Sequence, residues 1–229
     1  VITAGNVVLD ADGGAGNVSV QTTGTAGKVT ADNLTVTVAA GDTVTLNTDV
    51  TSINSTNATG GAVSITEDDD IVVNDIATAG TSTVTITAGG SITAANSTDD
   101  DADITTGTAT LTSGQDINVE TAATNVAFTA TTAADATVNI SEVTAGTDVS
   151  ITGTANGDIS ADTAAGTLTV GAGGITSNSG DVSLTGVGGG VTVTGAVTAT
   201  GNDVTLSAAT TITGTGLVTS DLVTATATT

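Results

Sequence analysis

The sequence contains no Trp, Tyr, Met, Cys, Pro, His or Arg, and Phe128 is its single aromatic residue. Each absence excludes a class of function or structure. Without Cys there is no disulfide framework. Without His and Cys the usual nucleophile–base pairs cannot be assembled, and any Ser has only Lys28 or a carboxylate for a base. Paired acids can run glycoside hydrolysis, but without Trp, Tyr and Arg a sugar site lacks its platforms and donors. No enzyme is expected. Basic charge is almost absent as well: Lys28 stands against 24 acidic residues, for a formal charge of −23. Phosphate binding needs Lys and Arg, so nucleic acid is excluded as a partner. An anionic membrane surface repels such a chain, and no apolar run is long enough to span a bilayer. Cations are the natural electrostatic partners. Methionine is missing even at the first position, Val1, which predicts a segment of a longer chain.

What is present is Thr, at roughly a quarter of the residues, with Val, Ile, Leu and Ala supplying the apolar mass. Such fillers suit a thin core rather than the broad centre of a compact globule. High net charge with few aromatics often signals disorder. Here the β-branched residues alternate with Thr and Ser in short runs, as strands do. The recurring unit is a small polar residue or Gly, then apolar, Thr or Ser, apolar. Examples are Thr43-Val44-Thr45-Leu46, Ala62-Val63-Ser64-Ile65, Thr83-Val84-Thr85-Ile86, Asp148-Val149-Ser150-Ile151 and Asp203-Val204-Thr205-Leu206. A period of two puts both apolar residues of each unit on one face.

The units recur at coil-like distances: Val44 to Val63 is 19 residues, Val63 to Val84 is 21 and Val182 to Val204 is 22. Asp181–Thr200 and Asn202–Ser220 read as consecutive coils with three short strands each and Gly or Asn at the bends. The expectation is an all-β, parallel β-solenoid of roughly 19–22 residues per coil, one continuous segment over residues 1–229, in about eleven coils. Spacings of eleven residues (Val7, Val18, Val29; Val138, Val149) leave the phase of residues 20–140 open. A single coil cannot bury its own inward side chains and needs a neighbour above and below. Outward Thr keeps β propensity while staying polar, and Pro, which would delete a ladder donor, is absent.

Runs such as Gly180-Asp181-Val182-Ser183-Leu184-Thr185 and Gly195-Ala196-Val197-Thr198-Ala199-Thr200-Gly201-Asn202-Asp203-Val204-Thr205-Leu206 resemble the haemagglutinin-type repeats of large bacterial adhesins, the filamentous-haemagglutinin-like exoproteins and related giant surface proteins. The likeness is best from Gly146 to Ser220. It implies a right-handed parallel β-helix, export to the cell surface or medium, and a stalk or adhesive role. The expected function is thus an extracellular structural rod of an adhesin, filament, sheath or surface layer, with copies of itself end to end, or a surface receptor or glycan, as partners. The alternative is an ice- or glycan-binding module using an outward Thr-rich face.

Two acidic runs are the candidate sites. Asp68, Asp69 and Asp70 form one; Asp99, Asp100, Asp101 and Asp103 form the other. Dense carboxylates are hard oxygen ligands suited to structural Ca²⁺, and both runs are expected in loops at the bends. Neither matches an EF-hand loop. Gly13-Gly14-Ala15-Gly16-Asn17 is a lone partial match to a calcium-binding nonapeptide, with Asn where Asp is expected. Thr-x-Thr pairs (Thr83, Thr85 and Thr87; Thr108, Thr110 and Thr112; Thr192 and Thr194) raise the ice-binding alternative, but they do not recur at one fixed coil spacing, as a single flat face would require. Lys28 is expected to pair at most with Asp32, and Phe128 to fill the core.

Overall fold

The structure is a computed structural model that describes residues 2–11, 18–20, 27–39, 41–57, 61–96, 101–144 and 146–228. Every strand pair is parallel, all strands belong to one wound sheet, and there is no helix among the described residues. The strands stack as a β-solenoid of about nine turns with roughly 21 residues per turn. One side carries eleven successive rungs, from Ile2–Ala11 to Leu222–Ala227, the number that dividing the chain length by the period suggested.

Like stacks on like along the axis. One inward column runs Ile71, Ile92, Ile117, Val138, Ile159, Val182, Val204, Val223. A second, on another side, runs Leu46, Ile65, Ile86, Leu111, Phe128, Gly153, Ile175, Val197, Val218. Up to Ala208 the apolar residues of these columns form, with their neighbours, one continuous core that starts at Val7. Each fully buried Val or Ile contributes about 1.5–3 kcal/mol, provided both adjacent rungs are present. Val204, with a rung on either side, is fully buried, whereas Val223 in the last described rung is 46% exposed.

Steps along the second column are 19, 21, 25, 17, 25, 22, 22 and 21 residues, the differences between its successive residue numbers. This is wider than the expected 19–22, because bends absorb insertions while the inward residues stay in register. The eleven-residue spacing of Val138 and Val149 joins two sides of one turn: Val138 pairs with Ile117 and Ile159, Val149 with Leu168.

Three separate strands per turn hold for the turns read that way from sequence: Val182–Gly186, Val191–Val193 and Val197–Ala199, then Asp203–Ala208, Ile212–Gly214 and Val218–Thr219. Lower in the stack the sides fuse into strands of 14 residues, Val44–Asn57 and Ile117–Ala130. The bends there pass through residues such as Thr48-Asp49, which keep the ladder in register, whereas the Gly-rich corner inside Leu168–Ser177 shifts it. The corner at Gly171-Ala172-Gly173-Gly174 marks the change. It separates the partners of Ile151 and Gly153 by an insertion, and Gly174 takes φ 75°, a conformation Gly adopts at no steric cost.

The acids that precede many strands have a backbone role. Asp70, Asp116, Asp148, Asp158 and Asp181 each accept, through Oδ1, the backbone N–H of the equivalent residue one turn on: Ser91, Thr137, Thr167, Asp181 and Asp203, at 2.7–2.9 Å. Amide ladders do similar work elsewhere, Asn33 donating to Asn6 and Asn139 to Asn118 at 2.9 Å. A buried or bent backbone N–H must find an acceptor, and at these bends the side chain supplies it.

Phe128 is buried, as expected, and stacks between Leu111 and Gly153. A Cβ at Gly153 would lie 2.5 Å from the Phe128 ring and 2.3 Å from its carbonyl oxygen. Gly153→Val should therefore destabilise the chain by about 1–3 kcal/mol through overpacking, read as a lower urea midpoint. Phe128→Leu in the same chain should restore only part of the loss, because the carbonyl clash remains.

Candidate functional site

The first acidic run lies at the bend before the strand Ile71–Thr78. Successive residues of an extended chain point in different directions, and the three aspartates have three different partners. Asp68 receives the Lys28 ammonium at 2.5 Å. Asp70 accepts the Ser91 N–H. Asp69 alone joins other acids: its carboxylate lies with those of Asp49 and Glu67, ligand oxygens within 4.8 Å of one another. Lys28 also holds Asp49, at 2.8 Å. These two hydrogen-bonded carboxylates push the lysine well above its usual pKa.

The pairing of Lys28 with Asp32 is corrected here. Four residues along a strand is about 13 Å, whereas Asp49 and Asp68 are brought in from the next two turns. Asp49 and Glu67 were missed as site residues. The signal was the 19-residue step that pairs Thr48 with Glu67, which also sets Asp49 beside Asp68.

These acids border an open groove of about 820 Å³ on the outside of the lower turns, where Asp32, Asp49, Asp69 and Asp70 sit among Thr30, Ser91 and Thr93. Three convergent carboxylates suit a hard cation in ligand type, but Ca²⁺ takes six to eight oxygens, and here the Lys28 ammonium already supplies positive charge at the same place.

The second run does not join the first. Asp99 and Asp100 lie outside the described residues. Asp101 and Asp103 line a separate hollow of about 430 Å³ with Asn74, Asp75 and Asn96. Asp103 is buried and its Oδ2 accepts the Glu120 N–H at 2.9 Å, so it serves the ladder. The Gly13–Asn17 segment also lies outside the described residues.

Two glutamates occupy equivalent places: Glu67, which heads the first acidic run and ends a strand rather than lying in the loop expected for that run, and Glu142, not singled out from sequence. In Val63-Ser64-Ile65-Thr66-Glu67 and Val138-Asn139-Ile140-Ser141-Glu142 the acid ends the strand and turns into the bend, buried. Glu67 accepts the N–H of Val50 at 3.0 Å and of Asp68 at 2.9 Å. Glu142 accepts the N–H of Ala123 at 2.8 Å, the N–H of Thr144 at 3.2 Å and the Thr121 hydroxyl at 3.1 Å. Burial raises the pKa of both above the usual carboxylate range, against the opposing pull of those donors. Burial also raises Asp75 and Asp162.

The outward threonines form the remaining surface of note. The pairing register lines up Thr66, Thr87, Thr112, Thr129, Thr154, Thr176, Thr198 and Thr219 in one unbroken column. Two residues to the side, Thr45, Ser64, Thr85, Thr110, Ala127 and Thr152 form a second. The expectation that unequal spacing prevents a single face is overturned, since bends of different length still return each Thr to the same column. Thr192 pairs with Thr169 and Thr213 on another side.

No family model matches the chain, and neither does any curated protein or solved structure.

Two predictions follow from the charges. A carboxyl raised in the folded state contributes stability that is complete below its unfolded pKa and lost as pH rises through the folded one. The thermal midpoint should therefore fall as pH rises from about 4.3, the ordinary glutamate value, through the raised values of Glu67 and Glu142. Glu67→Gln with Glu142→Gln should flatten that slope, because Gln mimics the protonated acid. Separately, Lys28→Met should lower the midpoint at low salt, with the deficit shrinking as salt screens the carboxylates. Millimolar Ca²⁺ should then stabilise the Lys28→Met chain more than the unaltered one; equal responses would separate calcium from this group.

Proposed function

We propose that the chain is a non-catalytic structural rod that extends or spaces an extracellular assembly, such as an adhesin stalk, filament, sheath or surface layer. The observation that carries this reading is the uninterrupted parallel ladder. On one side the pairing passes through eleven successive rungs, from Ile2–Ala11 through Val29–Val38 and upward to Leu222–Ala227. The hydrogen bonds between rungs point along the axis, so a pull on the ends loads many of them together with the core they enclose. Composition supports the same role: one basic residue offers trypsin a single target, and that residue, Lys28, is held by two aspartates. The resemblance of residues 146–220 to adhesin repeats supports the surface location and the partners, either further copies end to end or a receptor or glycan at the cell surface. The lack of His, Cys and Arg supports a role without chemistry.

Immunogold labelling of intact cells of the source tests the location, and force spectroscopy of the chain tests the mechanics. Surface label and stepwise lengthening by about one turn per event are expected. Label confined to the cell interior, or unfolding at forces no higher than those of a helical bundle, would remove this reading.

A further inference from the structure

We propose that the threonine-lined side is an ice-binding surface, which goes beyond the rod role and does not depend on it. The two columns above hold twelve Thr in fifteen outward positions, counting Asn47, which pairs with Thr66 at the foot of the longer column. The other two are Ser64 and Ala127. None is charged, in a chain of net charge −23. Acids elsewhere crowd the bends, so this side is a neutral strip on a strongly anionic rod.

The hydroxyls of the strip are uncommitted. Thr hydroxyls at the bends are used internally: Thr106 donates to the Ser82 carbonyl at 2.8 Å and Thr163 to the Gly166 carbonyl at 2.9 Å. Among the described residues, none of the twelve strip threonines directs its hydroxyl to a protein partner. The β-branched side chain is stiff at χ1, and the register sets equivalent threonines directly above one another from rung to rung. Each hydroxyl and methyl is therefore held in a repeating orientation. The repeat is about 4.8 Å between rungs and about 6.7 Å between alternate residues of a strand, a rectangular net of the same order as the oxygen rows of hexagonal ice.

Between the columns runs a trough of about 270 Å³, bordered by Thr110, Thr112, Ala127, Thr129, Thr152 and Thr154. A file of waters held there, hydrogen-bonded to hydroxyls on both banks and kept in step by the methyls, is a patch of lattice that ice can extend. The chemistry does not favour a glycan, which seeks aromatic platforms. Nor does it favour a protein partner, whose anchors are aromatic and Arg-recognising pockets.

The test is thermal hysteresis and uptake into a growing ice hemisphere, measured on the 229-residue chain at micromolar concentration. The double variant Thr112→Lys/Thr154→Lys, a control pair on a different side, Ser160→Lys/Thr205→Lys, and the single variant Thr129→Tyr are measured beside it, with circular dichroism to check the fold. The unaltered chain and the control pair should show hysteresis and enter ice. The strip variant should lose both with its β signal intact, and Thr129→Tyr serves if the lysines unfold the chain. Exclusion of the unaltered chain from ice, equal activity in the strip variants, or binding by this side to insoluble cellulose or chitin without ice affinity would overturn the proposal.

Discussion

Everything in this molecule depends on parallel pairing between successive turns, which places each inward side chain directly on its counterpart. Each ladder hydrogen bond contributes only modestly on its own, since the same backbone groups bond to water when unfolded. Its effect comes from the columns it creates. Ile71, Ile92, Ile117 and Val138 are buried because each covers the next. The same dependence explains why a thin core of Val, Ile and Ala suffices. In a solenoid no side chain has to reach a distant centre, and the one large ring, Phe128, is accommodated by removing the side chain above it at Gly153.

Acidity and architecture are linked through the backbone. The aspartates at the bends act as acceptors for N–H groups that the turning chain leaves without a rung. Glu67 and Glu142 do the same from buried positions, at a cost visible in their raised pKa values. Much of the charge is therefore a by-product of satisfying bends. This is a simpler origin for the acid runs than a dedicated metal site, and Lys28 places a positive charge between Asp49 and Asp68, where carboxylates from two turns converge. The threonine strip is the complement: strand interiors have their N–H groups paired already, so outward positions there need no acid and can stay neutral.

The solenoid itself was legible because its signal is local. Alternation of period two, Gly at bends and the absence of Pro are properties of short stretches, and Asp181–Ser220 could be laid out turn by turn from them. The candidate site was far less legible. Asp68, Asp69 and Asp70 look like one cluster because they are adjacent in sequence, but adjacency along an extended chain sends them to Lys28, to Glu67 with Asp49, and to Ser91. The bend glutamates carried a signal in the shared pattern of Val63–Glu67 and Val138–Glu142, yet its meaning needed the rung beneath.

By itself the sequence determined the class of fold, which residues face inward, the anionic character and the shortage of groups for covalent catalysis, because each follows from residue type and nearest-neighbour alternation. Only the tertiary structure decided the phase of the turns, and with it which threonines share a column and which acids meet. The steps between equivalent residues vary from 17 to 28, and the length of a bend is not written in the strands it joins. Register is fixed when inward side chains of distant segments find one another, and that is a property of the stack rather than of any single turn.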